Sequence, residues 1–209
     1  MRIVKNLIDK NEKTQLVSAI FDECLKEMNY QFFNKIEFHL QKEDEIKLDF
    51  PDAYIYMNYS NPFIQSSDKK AIKIILLKQL ICLAIMSKNP DKKIPDFIME
   101  ILTNREIIRK GHGKDLFYYY YLLLIQYESP KIQELSTFLK INTPWLSFFS
   151  LDNYDSKFLK KFMDRFEYTK AFESATRDLF LAVKEDLLKG KRLDKAIEAY
   201  NIMKNTAKR

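Results

Sequence analysis

Glycine, histidine and cysteine are the scarce residues of this 209-residue chain, and each scarcity closes off a class of function. The three glycines, Gly111, Gly113 and Gly190, supply neither the G-x-x-x-x-G-K nor the G-x-G-x-x-G spacing of a phosphate-cradling loop. Of the two histidines, His39 and His112, neither has a second histidine or a cysteine at ligand spacing, so no metal and no cofactor are expected. The two cysteines, Cys24 and Cys82, fall on apolar helical stripes; they make no disulfide framework and fit a reducing cytoplasm. The opening MRIVKNLIDKNEK has no apolar core of signal-peptide length, and the least charged stretch, 116 to 127, is far shorter than a membrane span. The expectation is a cytoplasmic chain with no membrane partner.

The composition that remains is 46% hydrophobic, enough for a sizeable core, and rich in lysine, isoleucine, leucine, phenylalanine and tyrosine. Its net charge of +6 comes from 35 basic against 29 acidic residues, with both signs interspersed, so a basic surface favours acidic partners only weakly. Residues 12 to 29 carry an i, i+3, i+4 apolar stripe through Leu16, Val17, Ile20, Phe21, Cys24, Leu25 and Met28, which predicts an amphipathic helix. The period then changes. Ile36, Phe38 and Leu40 alternate with polar residues, as do Ile46, Leu48 and Phe50; the alternation predicts two strands joined by a charged turn around Lys42 to Glu45. Ala53 to Asn58, bracketed by Pro51 and Pro62, reads as a third.

From Asp68, a helix cap, the chain reads as helices: Pro90 ends the central one, Pro95 starts the next, and Gly111-His112-Gly113 closes it. Ser129-Pro130 and Thr143-Pro144 are cap-then-proline helix starts, and helices from Asp155, from Tyr168 to Lys189 and from Arg192 to Lys204 complete the list. The fold class expected is α+β and predominantly α-helical: a small N-terminal sheet packed on a central helix, followed by a helical bundle. Residues 1–128 form the α/β region and 129–209 the helical one, with the option of a single continuous domain.

The central run DKKAIKIILLKQLICLAIMS, residues 68 to 87, resembles the active-site helix of a zincin metallopeptidase. In that family's H-E-x-x-H motif, two histidines one turn apart hold zinc and the glutamate between them activates a water. The aligned positions here hold Lys78, Gln79 and Cys82. A protonated lysine cannot ligate zinc, a glutamine cannot take a proton from water, and one cysteine cannot hold a catalytic metal alone. The order helix, strands, apolar helix over the first half of the chain is similar to small archaeal and bacterial zincin-like proteins, in which a short sheet lies across that helix. In their Glu-zincin branch a third ligand is a glutamate on a following helix, and Glu106 stands at that position. The resemblance thus implies a peptidase-like scaffold without metal or catalytic residues. An ordinary core-facing helix would carry the same apolar spacing.

Three further places invite a functional reading. Gly111, His112 and Gly113 could form a helix cap and tight turn or a backbone nest for an anion. The stretch Glu134 to Leu146 resembles a helix-turn-helix core, with Asn142-Thr143-Pro144 opening the second helix, although Lys140 stands where the turn usually has glycine. Trp145, Phe148 and Phe149 would suit a protein interface if exposed, and the core otherwise. The leading expectation is a non-catalytic interaction or scaffold protein with a protein partner, in which an edge strand near Ala53 to Asn58 pairs with an extended chain. The alternative is nucleic-acid binding through residues 129–150 and the basic C-terminus.

Overall fold

The computed structural model describes residues 1–28, 33–49, 51–125, 131–132, 134–148, 167–168 and 192–206. The fold is α+β and mainly helical, with one four-stranded sheet. The chain divides into two compact units: residues 1–92 with 106–119, and residues 93–105 with 120–209. The division therefore crosses the chain three times and cuts two helices.

In the first unit, β1 (Arg2–Asn6) leads into α1 (Glu12–Glu27), then β2 (Lys35–Gln41), β3 (Glu45–Asp49) and β4 (Asp52–Asn58). The sheet order is β1-β2-β4-β3, with β1 and β4 parallel to β2 and β3 antiparallel to β4. A parallel neighbour requires a crossover, which α1 provides between β1 and β2. Two expectations are corrected here. The strands flanking the charged turn are not neighbours, because β4 inserts between them. Ala53 to Asn58 is consequently interior, and the edges are β1, which the sequence reading passed over, and β3.

Alternation on β2 and β4 sends Ile36, Phe38, Leu40, Ala53, Ile55 and Met57 to one fully covered face. Helix α1 lies on that face, where Phe21 stacks on Phe38 with ring centroids 4.5 Å apart. The short α2 (Pro62–Gln65) leads to α3 (Lys69–Lys88), capped by Asp68, whose carboxylate accepts the Ala71 N–H. Helix α3 packs on α1 and beneath β3 and β4. It is buried nearly all round, through Ile72, Ile74, Leu76, Leu77, Leu80 and Leu83, as befits a central helix.

Helix α4 (Asp96–Ile107) runs on into the short segment Ile108–His112, where Gly111 breaks the helical conformation. Past that kink the chain resumes as α5 (Gly113–Ile125). Only Gly111 takes a left-handed conformation, at φ 91°, whereas Gly113 sits at an ordinary helical φ of −58°. Gly111 thus supplies the positive φ expected of a helix-ending turn, and Gly113 does not.

The second unit contains the two-stranded pair β5 (Lys131–Ile132) and β6 (Glu167–Tyr168), with α6 (Leu135–Phe148) and α7 (Leu193–Thr206). Tyr120 donates to the Glu100 carboxylate and, at 3.0 Å, to Asn104, whose amide donates to Ser147 at 3.2 Å. The helix-turn-helix expectation is corrected by α6, which runs unbroken through Asn142, Thr143 and Pro144. Proline removes one N–H from a helix, which the helix tolerates here, and side chains beside it bond back to the preceding turn. Asn142 donates to Phe138 O at 2.8 Å and the Thr143 hydroxyl to Leu139 O at 2.7 Å. Lys140, a good helix former where a turn would want glycine, favours the same outcome. Of the helix starts expected from sequence, Ser129-Pro130 lies outside the described residues, as do most of the helices expected between Asp155 and Lys189.

Candidate functional site

Helical spacing puts Lys78 and Cys82 one turn apart on α3, with Gln79 on the adjoining strip turned toward the sheet. The Lys78 ammonium lies 5.4 Å from the ring centroid of Tyr119 on α5, and Phe63 of α2 meets the same ring at 5.6 Å. Gln79 is buried under β4, where its amide donates to the Tyr56 carbonyl at 3.3 Å. Its side-chain oxygen is buried with no hydrogen-bond partner. The Cys82 thiol faces the Met86 sulfur one turn on, at 3.9 Å. Glu106, on α4, is held by Arg109, whose guanidinium lies 2.8 Å from its carboxylate. Among the described residues no group of three His, Cys, Asp or Glu side chains could hold a metal ion.

A glutamate in place of Gln79 would bring a carboxylate against the Tyr56 carbonyl, two acceptors with no proton between them. On α1, burial pushes the Cys24 thiol up to about 12, which keeps it protonated at neutral pH.

The glycine kink forms a second cluster. Its His112 faces the Glu27 carboxylate at 2.7 Å, Lys73 of α3 holds the other oxygen of that carboxylate at 2.5 Å, and Lys110 donates to the Glu27 carbonyl at 3.1 Å. Burial works to raise the Glu27 carboxyl, but the hydrogen bonds from Lys73 and His112 outweigh it and hold the group below its ordinary range. His112 is thus committed to a carboxylate rather than to a bound anion. The sequence reading missed Glu27. An acid in the last turn of α1 opposes the helix dipole, and that mismatch is the one signal that it serves a partner elsewhere.

The open face of the sheet holds the other histidine. His39 contacts Glu37 at 3.0 Å and stacks on Tyr56 at 4.6 Å, while Lys35 bridges Glu37 at 2.8 Å and Asp52 at 3.4 Å. The Lys35 and Lys47 ammonium groups lie 5.2 and 5.8 Å from the Tyr54 ring centroid. With acids matching bases across it, this face offers no cationic field for a phosphate backbone.

The four consecutive tyrosines disperse as helical spacing requires. Tyr118 donates to Asp68 at 2.9 Å, Tyr119 meets Lys78, Tyr120 is buried, and Tyr121 is 37% exposed. Trp145 and Phe148 lie on α6, but their side chains, like the whole of Phe149, fall outside the described residues. Among the described residues no helix is long and apolar enough to cross a membrane. Comparison with protein-family models, curated proteins and solved structures finds no match for this chain.

Proposed function

We propose that the chain is a non-catalytic interaction protein on a zincin-like scaffold, binding an extended segment of a partner protein along the outer edge of β3. The observation that carries this reading is Gln79. At the position where a peptidase needs a proton-accepting glutamate, the side chain is buried and used as a donor to strand backbone. Packing, rather than chemistry on water, accounts for the residue there. A sheet laid across an apolar helix is in keeping with the same scaffold.

The edge strand suggests the partner. Among the described residues β3 pairs only with β4, so its outer main-chain groups are available for strand addition. Glu45, Lys47 and Asp49 are exposed, while Ile46 and Leu48 are half-buried. An antiparallel strand reading basic, apolar, acidic, apolar, basic would set opposite charges across from all three.

Fluorescence anisotropy with two labelled peptides tests this, one alternating lysine, valine, glutamate, valine, lysine and the other with the charges inverted. The first binds and the second does not, and Lys47→Glu weakens the first. Equal binding of both would sink the edge assignment. Stoichiometric zinc in the purified protein together with peptide hydrolysis would sink the non-catalytic reading.

A further inference from the structure

The opposite edge of the sheet differs in kind. Strand β1 pairs only with β2 among the described residues, leaving its outer side open. An open edge is ordinarily blunted by charge, and lysine is the usual choice. The lysine of β1 does not serve: Lys5 is drawn back onto α1, with its ammonium 2.6 Å from Asp22 and 2.9 Å from the Ser18 hydroxyl. Around the undefended edge Met1, Ile3 and Ile8 are 56, 41 and 54% exposed, half of the six large apolar side chains exposed among the described residues. Apolar exposure beside unpaired strand backbone marks an association surface.

We infer that two copies of this chain associate through β1, pairing antiparallel about a twofold axis at Val4 so that their sheets join into one. The backbone fixes which groups are free. The Arg2 N–H donates to the Asn34 carbonyl on the β2 side. Main-chain groups alternate sides along a strand, so Arg2, Val4 and Asn6 face β2 while Ile3 and Lys5 point outward. An axis at Val4 sets Ile3 opposite the partner's Lys5 and Lys5 opposite the partner's Ile3. Those are the two residues with outward N–H and C=O groups, and each pair closes a double hydrogen bond. Val4 meets the partner's Val4 as a close non-hydrogen-bonded pair, and Arg2 meets the partner's Asn6. No charge faces its like.

The same operation applied to β3 would set Glu45 against the partner's Asp49 and Lys47 against the partner's Lys47, which like-charge repulsion disfavours. Self-complementarity therefore belongs to β1 alone of the two edges, and it selects a second copy over a foreign strand. The inference does not depend on the reading of α3 or β3, so either can fail without the other.

Sedimentation velocity on the full chain, from micromolar to millimolar protein, tests it. The parent chain forms a dimer and stops there. Ile3→Pro removes an outward N–H that β2 does not use, and Val4→Lys sets two cations on the axis; both sediment as monomers while keeping the parent's circular dichroism. As an independent reading, Val4→Cys in a Cys82→Ser background gives a disulfide-linked dimer under mild oxidation, and Cys82→Ser alone, with Cys24 buried, does not. A parent that stays monomeric throughout overturns the proposal. So does a dimer that survives both Ile3→Pro and Val4→Lys, or open-ended growth, which would mean β1 pairing with β3 of the next copy.

Discussion

On one face of the four-stranded sheet Ile36, Phe38, Leu40, Ala53, Ile55 and Met57 have almost no exposure; one residue along, on the other face, Lys35, Glu37, His39, Tyr54 and Tyr56 stay half-buried. The first set is held by removal from water and by dense packing against α1 and α3. The second is held by ion pairs and ring contacts that water and salt can replace. Both sets look equally specific in a list of contacts. Their energies should differ severalfold, and substitutions on each side measure by how much.

The largest effect belongs to the covered face. Phe38→Ala removes a ring stacked on Phe21 and leaves a cavity beneath the sheet, at a cost of about 3–5 kcal/mol in urea unfolding. Tyr54→Ala, one strand over on the open face, loses far less. Equal losses would break the comparison and show that something covers the open face.

Next is Gln79→Glu, which tests whether the peptidase-like position is now a structural one. The new carboxylate would lie buried against the Tyr56 carbonyl, for a loss of about 1–3 kcal/mol or more at neutral pH. Burial raises a carboxyl, so the loss should shrink as the pH falls and the protonated acid donates to that carbonyl. A variant as stable as the parent at neutral pH would mean that this position opens to water. Thermal unfolding at pH 7 and pH 4 distinguishes the two.

These sites also mark how far the sequence could be read. Alternation placed β2 and β3, because half-buried strands must alternate, and Asp68 announced α3 by its capping chemistry. Strand β1 was not visible: its five residues mix charged and apolar side chains, and their burial shows no clean alternation. The insertion of β4 between β2 and β3 is a property of the sheet, to which no local pattern corresponds. Pro144 resembles a helix start because a cap-then-proline pattern is the same whether or not the helix has already begun. At the candidate site, Lys78, Gln79 and Cys82 were found by residue type, but the partner that explains Gln79 is a main-chain carbonyl, which every residue carries.

Glu27 of the clasp at the glycine kink is no better covered than the open face, at 33% side-chain exposure against 25% for Lys35, yet two basic groups share its carboxylate, and in energy it should stand between the two faces. Glu27→Gln removes the charge that Lys73 and His112 share, and lowers the urea midpoint modestly at neutral pH. The sign of its pH dependence follows from the depressed carboxyl. The stabilisation is present above the unfolded value of about 4.3 and is lost as pH falls through the lower folded value. Parent and variant should therefore converge in acid, and a difference that persists there would mean that the glutamate acts through packing alone.

The smallest effect is expected from Lys35→Met, on the open face. Lys35 touches Glu37, Asp52 and Tyr54, and its hydrogen bond to Glu37 holds that carboxyl below its ordinary range. Three partners make it one of the better-connected side chains of the sheet. Yet each partner can exchange it for water, and the methionine stem keeps most of the apolar cover over the Tyr54 ring. The unfolding midpoint should stay close to the parent's, with the salt dependence of stability weakened. A loss approaching that of Phe38→Ala would mean that this face is buried in the working protein, and would make it the next surface to probe for a partner.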